Sequence, residues 1–178
     1  MARQTSRLEK AANAVAFVVE RILAIALVVG IALNFINVVG RYVSGFTLIG
    51  VDEIEIYILI WIAFLGAAVV TWRRQHLRMD VLLNASPAPV RTTVTIAEMC
   101  AMLVVAAFVA YQSFRYVERI YALGAVSDIA RVPTWFPHSA VFISFAAIAL
   151  IVLVRLGQRL FCPEAVTHDH SSEGEPRA

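Results

Sequence analysis

Polar and charged side chains interrupt the apolar sequence at two neighbouring places, and their spacing could support ion or substrate binding. Asn34, Asn37 and Arg41 are three and four residues apart, so they lie on one face of a helix. Asp52, Glu53 and Glu55 follow a short connection and begin the next apolar stretch. Ionisable groups near membrane depth are costly to bury, and they mark ion or substrate pathways by default.

These residues have two interpretations, a substrate or ion site and a polar pin that joins two helices or a partner subunit. The pin is favoured because no acidic residue lies at mid-depth, where a proton or cation relay would need one. Arg41 is predicted to form a salt bridge with Glu53 or Asp52. Carboxylates at the start of a helix are also stabilised by the helix dipole.

Two further acids, Glu20 and Glu98, lie near the start of an apolar segment. Glu98 could be satisfied by Arg91 or by a partner helix, and Glu20 need not pair with Arg21, because adjacent helical residues point in different directions. A self-sufficient, homodimeric small exporter would need Glu20 or Glu98 as its essential acid. That exporter and a membrane scaffold without a transport role are two functions that the residues leave open.

The sequence contains no pattern typical of catalysis, cofactor binding or metal binding. His76 and His138 would lie on opposite sides of the membrane, which excludes them as the two axial ligands of one haem. Cys100 and Cys162 are far apart and form no C-x-x-C motif. We therefore predict no enzyme activity, no cofactor and no metal. A net charge of +2 on so apolar a chain also argues against nucleic acid binding.

The composition places the chain in a lipid bilayer. Of its 178 residues, 60% are hydrophobic and 16% are charged, whereas soluble domains have about 45–50% apolar and about 25% charged residues. A spanning helix needs about 20 mainly apolar residues, and four stretches qualify, at residues 14–39, 54–72, 93–114 and 135–156. Because helices satisfy their own backbone hydrogen bonds in lipid, we predict an all-α, polytopic membrane protein whose four transmembrane helices occupy residues 14–157.

Lysine and arginine residues near the ends of spans predict the orientation, since their excess stays in the cytoplasm. Ten of them flank the two termini and the connection between the second and third helices, against four in the other two connections. Both termini are therefore predicted to be cytoplasmic. The N-terminal segment would cover residues 1–13, and a polar tail, expected to be disordered, would cover residues 158–178.

Several short motifs occur in an order that resembles one family of membrane proteins. They are Asn37-Val-Val-Gly-Arg41-Tyr42, Asp52-Glu53, Gly66, His76-Leu-Arg-Met-Asp80, Pro133-Thr-Trp135 and Pro137. Together with the four-helix frame, they resemble the small membrane subunit of tripartite ATP-independent periplasmic (TRAP) transporters, the DctQ type. The resemblance covers approximately residues 15–157.

The resemblance implies a function in the cell inner membrane. The small subunit of such a transporter braces a large permease subunit and helps to receive a periplasmic solute-binding protein. Uptake of an organic acid, such as a dicarboxylate or a sugar acid, is driven by symport with sodium rather than by ATP. The large subunit carries the substrate and sodium sites.

The resemblance also assigns positions in this chain. Arg41, Asp52 and Glu53 match the polar signature of the family, and His76 and Asp80 match the turn after the second helix. Gly66 begins a strip of small residues where another helix could approach closely. The residues expected to have structural or subunit-interface roles are Asn34, Asn37, Arg41, Asp52, Glu53, Gly66, His76, Asp80 and Glu98.

Overall fold

Four long helices dominate the structure. A computed structural model describes residues 2–73 and 88–161. The helices are α1 (Ala2–Val39), α2 (Val51–Trp72), α3 (Ala88–Leu123) and α4 (Trp135–Phe161), and α1 continues into a π-helical turn over Gly40–Ser44. All four helices are long and apolar enough to cross a membrane. The predicted all-α fold with four spanning helices is therefore confirmed.

Each helix extends beyond the apolar stretch that predicted it. The difference is largest for α3, which occupies Ala88–Leu123 where the apolar run covers only residues 93–114. An apolar run marks the part of a helix that suits hydrocarbon, but the same helix can continue where polar side chains reach water. Pro89 and Pro137 lie in the first turns of α3 and α4, where a missing backbone N–H breaks no helical hydrogen bond.

The helices pack in the spatial order α1, α2, α4, α3, with α4 between α2 and α3. The main buried cluster joins α2, α3 and α4 through Ala68, Ala106, Ile148 and Val152. Ala140 of α4 is completely buried. Small side chains at such positions allow helix backbones to approach closely, which is the usual way that helices associate in lipid.

The first helix packs mainly against α2 and is otherwise exposed. Between residues 10 and 39, only Ala16 and Asn37 are buried. Large apolar side chains such as Val28, which is 66% exposed, are left uncovered by the rest of the described chain. In a membrane, this surface of α1 must be covered by lipid or by another protein.

Two connections lie at the same end of the molecule, which we call the loop end. Residues 45–50 join α1 to α2, and residues 124–134 join α3 to α4. They touch at Gly50, where φ is +87° and an added Cβ would lie 3.1 Å from the Cα atom of Ala130. Gly50 therefore has a backbone conformation that strains other residues. It also lies so close to Ala130 that a side chain would have no room.

Candidate functional site: a polar ladder between the first two helices

Five polar side chains connect the first two helices near the loop end, and we call them the polar ladder: Asn34, Asn37, Arg41, Asp52 and Glu55. Asn34 donates a hydrogen bond from Nδ2 to Oε2 of Glu55 at 2.8 Å, and Asn37 donates one from Nδ2 to Oδ1 of Asp52 at 3.1 Å. Nη2 of Arg41 lies 3.8 Å from Oδ2 of Asp52. The polar face predicted for the first helix therefore meets carboxylates of the second.

Asn37 occupies the centre of the ladder and is the most buried of its members, with 3% of its surface exposed. Besides donating to Asp52, it accepts a hydrogen bond at Oδ1 from the backbone N–H of Leu48, at 3.1 Å. A carboxamide carries both a donor and an acceptor. One side chain can therefore fix the carboxylate of α2 and the connection that precedes it at the same time.

The predicted salt bridge of Arg41 is formed with Asp52 and not with Glu53. Successive residues are separated by about 100° around a helix, so only one of two neighbouring carboxylates can face α1. The side chains of Arg41 and Asp52 are 49% and 69% exposed. An exposed pair at this separation contributes little to stability. The buried amide of Asn37 is therefore the stronger connection.

Glu53 instead holds the connection between α3 and α4. Its carboxylate accepts hydrogen bonds from Oγ of Ser127 and from the backbone N–H of Ala130, both at 2.7 Å, and from the N–H of Ile129 at 3.3 Å. Oγ of Ser127 in turn accepts a hydrogen bond from the N–H of Val132 at 3.3 Å. A single side chain of α2 thus organises a turn more than 70 residues away in sequence.

Glu55 was grouped with Asp52 and Glu53 at the start of the second helix, but it is the one member of the ladder to which no structural or subunit-interface role was assigned. It is three residues after Asp52, so the helical period places both on the face of α2 that meets α1. Its Oε1 atom is buried and has no hydrogen-bond partner among the described residues. The same carboxylate borders a cleft of about 380 Å³ between α1 and α2 whose other walls are mainly apolar.

A second set of polar contacts joins α2 to its neighbours at the opposite end of the molecule. Glu20 forms an ion pair with Arg73, and Trp72 donates a hydrogen bond from Nε1 to Oδ1 of Asn13 at 2.8 Å. Arg155 donates from Nη1 to the carbonyl oxygen of Thr71 at 2.8 Å. Glu20 is therefore engaged in holding α1 and the end of α2 together.

The remaining predicted residues lie apart from the ladder. A Cβ added at Gly66 would meet no atom within 4 Å, so no described part of this chain uses the close approach expected there. Glu98 is exposed on α3. His76 and Asp80 lie outside the described residues. Within residues 2–73 and 88–161, no group of three or more side chains could hold a metal ion.

The polar ladder lies within a part of the chain that matches a known family. A model of the family described as "Tripartite ATP-independent periplasmic transporters, DctQ component" matches residues 30–162. The chain belongs to the DctQ family. The resemblance predicted from the motifs is confirmed, and the match contains every member of the polar ladder. Family membership and the four spanning helices make this DctQ protein a multi-pass protein of the inner membrane.

Curated relatives support the same assignment. The ectoine TRAP transporter small permease protein TeaB of Halomonas elongata is 26% identical over 147 residues, which are 80% of this chain and 72% of TeaB. The isethionate TRAP transporter permease protein DctMQ of Oleidesulfovibrio alaskensis is 26% identical over 117 residues, 65% of this chain but only 18% of that protein. A Haemophilus influenzae relative is 42% identical over 55 residues, 31% of this chain and 34% of its own length.

Proposed function

We propose that this chain is the small permease subunit that braces the large permease subunit of a TRAP transporter. The transporter would take up an organic acid, delivered by a periplasmic solute-binding protein, in symport with sodium. The observation that carries the proposal is the one-sided packing of α1. This helix is fixed to α2 by polar contacts at both ends, yet most of its apolar surface is exposed. An apolar, uncovered helix that is tied to its neighbour at both ends is suited to support a partner in the membrane.

The polar contacts of this chain favour a supporting role over a substrate site of its own. Asp52 and Glu53 each accept hydrogen bonds from groups of the same chain. The names of two relatives specify different solutes, ectoine and isethionate, although both proteins are similar to this chain. These observations support the proposal that the large permease and the binding protein select the solute.

The proposed orientation places both termini in the cytoplasm and the loop end in the periplasm. It is supported by the distribution of basic residues. The connection over residues 45–50 contains no lysine or arginine, and the connection over residues 124–134 contains only Arg131. The other three arginines counted at this end lie on the adjoining helical segments: Arg41, Arg115 and Arg119. The loop end would then face the solute-binding protein, and the turn held by Glu53 would be on the side where that protein docks.

The test is a purification of the tagged, full-length chain from its native membranes in mild detergent, followed by identification of its partners by mass. We expect a stoichiometric large permease. Deletion of the gene for this chain should abolish sodium-dependent uptake of the solute that the binding protein carries, and the chain supplied on a plasmid should restore it. Recovery of this chain alone or only as a homodimer, or uptake that survives deletion, would contradict the proposal.

Substrate and coupling are tested separately from assembly. The solute that co-purifies with the binding protein is identified, and its uptake is then compared in sodium and potassium media of equal ionic strength. We expect an organic acid and uptake that requires sodium. A neutral solute, or equal uptake in both media, would overturn this part of the proposal and leave the supporting role of the chain in place.

A further inference from the structure

A polar cleft lies between α3 and α4, on the side of the molecule away from the polar ladder. It has a volume of about 620 Å³. Eight residues line it, and one of them is Val141. The other seven carry polar or charged groups: Tyr111, Gln112, Ser113, Arg115, Tyr116, Arg119 and His138. The cleft has no part in the contacts that hold α1 to α2.

The cleft carries positive charge that no carboxylate of residues 2–73 and 88–161 pairs with. Arg115 and Arg119 are four residues apart, so both guanidinium groups lie on one face of α3. Neither has a carboxylate within 4 Å in the part of the chain that the structure describes. Glu118, which lies between them in sequence, does not line the cleft. Two adjacent guanidinium groups without a counter-charge favour an anion with several oxygen atoms.

Aromatic side chains hold the cleft in shape. Arg115 donates a hydrogen bond from Nη1 to the hydroxyl of Tyr111 at 3.2 Å, and its guanidinium carbon lies 6.0 Å from the centre of the same ring. The ring of Tyr116 meets His138 edge-on, with ring centres 4.8 Å apart. These contacts position Arg115 and His138 on opposite walls, so that an anion in the cleft can reach donors from both helices.

The depth of the cleft matches the level of phospholipid headgroups. His138 lies in the first turn of α4, and the next 16 residues, from Ser139 to Val154, contain no charged side chain. Trp135 packs against Tyr121 with ring centres 6.0 Å apart, and tryptophan and tyrosine concentrate at the membrane–water interface. The arginines therefore lie where the apolar part of the bundle ends.

The face of α3 that continues away from the cleft is apolar and exposed. Phe108 is seven residues before Arg115 and Val104 is four residues before Phe108, which places them on the same helical face. Their exposed fractions are 61% and 67%. A ligand that fits both the polar cleft and this apolar face of α3 has a phosphate at one end and acyl chains at the other. We infer that the cleft binds the phosphodiester headgroup of an anionic phospholipid, with Arg115 and Arg119 as its charged donors.

The test uses the full-length chain with the subunits that co-purify with it, delipidated in detergent and titrated with phosphatidylglycerol. Native mass spectrometry measures the fraction of this chain that retains one lipid. In the Arg115→Gln/Arg119→Gln variant, we expect an apparent affinity about tenfold weaker, the size of effect that two charged contacts at an exposed site produce. Arg131→Gln removes the same kind of charge at the loop end but outside the cleft, and should bind like the unchanged protein.

Two further arms identify the source of the anion. The Arg115→Lys/Arg119→Lys variant keeps the charge and should retain part of the affinity for the lipid. Because it changes the same two positions, retained binding would show that the loss in the glutamine variant is not caused by misfolding. Inorganic phosphate at millimolar concentration should not displace the lipid, and phosphatidylcholine should bind more weakly than phosphatidylglycerol.

Three results would overturn the inference. Lipid binding by the glutamine variant equal to that of the unchanged protein would exclude the arginines as donors. Displacement of the lipid by inorganic phosphate would indicate a site for a soluble anion. A loss of affinity for the periplasmic binding protein, with lipid binding intact, would make the cleft a protein contact instead.

Discussion

The carboxylate of Glu53, in the first turn of α2, accepts a hydrogen bond at 2.7 Å from the backbone N–H of Ala130, in the connection between α3 and α4. Together with the bond from Ser127, this contact closes the loop end of the molecule. The two halves of the chain are thus joined at this end by one acidic side chain. Its sequence position suggested a partner on α1 instead.

Replacing Glu53 by alanine should loosen the turn over residues 127–132, because two backbone N–H groups and one hydroxyl lose their common acceptor. We expect amide hydrogen exchange to accelerate at Ile129 and Ala130, with little change in α1. Hydrogen exchange with mass spectrometry on the protein in detergent measures this effect. Glu118→Ala, an exposed acid on α3, is the matched control. Unchanged exchange in the turn would show that Glu53 does not organise it.

Gly50→Ala should destabilise the protein by about 1–3 kcal/mol, because alanine is strained at φ of +87° and its Cβ would press on the backbone at Ala130. Gly157→Ala is the control, since an added Cβ there meets no atom within 4 Å. In the interior of α4 that change should stabilise by about 0.5–1 kcal/mol. Unfolding is measured for both variants in the same detergent. Equal stability of the two would contradict the close approach at Gly50.

Asn37 should contribute more than Arg41 to the stability of the protein, although both belong to the polar ladder. Asn37→Ala removes both hydrogen bonds of a buried side chain and leaves the partly buried N–H of Leu48 without its acceptor, a loss of about 1–3 kcal/mol. Arg41→Gln disrupts only an exposed pair and should cost less than about 1 kcal/mol. Stability in detergent and recovery of the assembled complex are the measurements. A larger effect of Arg41→Gln would reverse the order proposed for the two contacts.

The orientation can be determined with single cysteines in a background where Cys100 and Cys162 are replaced by serine. Asp128→Cys lies in the α3–α4 connection and should react with a membrane-impermeant maleimide in intact spheroplasts. Asn13→Cys, at the opposite end of α1, should react only after the membrane is permeabilised. The reverse pattern of labelling would place the termini in the periplasm.

Uptake should survive neutralisation of the two acids that a small exporter would need. Glu20→Gln removes the ion pair with Arg73 but no proposed transport site, and Glu98 is exposed on α3. We expect both glutamine variants to support uptake within about twofold of the unchanged chain, provided that equal amounts reach the membrane, because exposed pairs are weak. Loss of transport in a variant that still assembles would favour the exporter interpretation.

The sequence was sufficient to predict the helices and one side of the ladder. The spacing of Asn34, Asn37 and Arg41 predicts one polar face, because the helical period alone decides it. The partner of Glu53 could not be predicted in the same way. The groups that donate hydrogen bonds to its carboxylate are the Ser127 hydroxyl and two backbone N–H groups of a turn. Backbone groups leave no pattern of side-chain types in a sequence. Only the three-dimensional structure shows that the α1–α2 and α3–α4 connections lie next to each other.

Glu55 shows a different limit of sequence reasoning. Its spacing from Asp52 places it on the same face of α2, but an acid one turn inside an apolar segment can face lipid, a partner or its own bundle. Only the contact with Asn34 identifies which side of α2 meets α1. The predicted helix ends were also inexact. Hydropathy marks the part of a helix that prefers lipid, and not the residue at which helical hydrogen bonding stops.

The spatial order of the helices has a consequence for biogenesis. Because α1 packs mainly against α2, the first two helices can enter the bilayer as a hairpin and form the ladder while the ribosome is still synthesising α3. The second pair then needs α4 to arrive before the core of α2, α3 and α4 can form. Glu53 receives its partners only after residue 130 has emerged, so closure of the loop end is a late step of assembly that requires both hairpins to be in place.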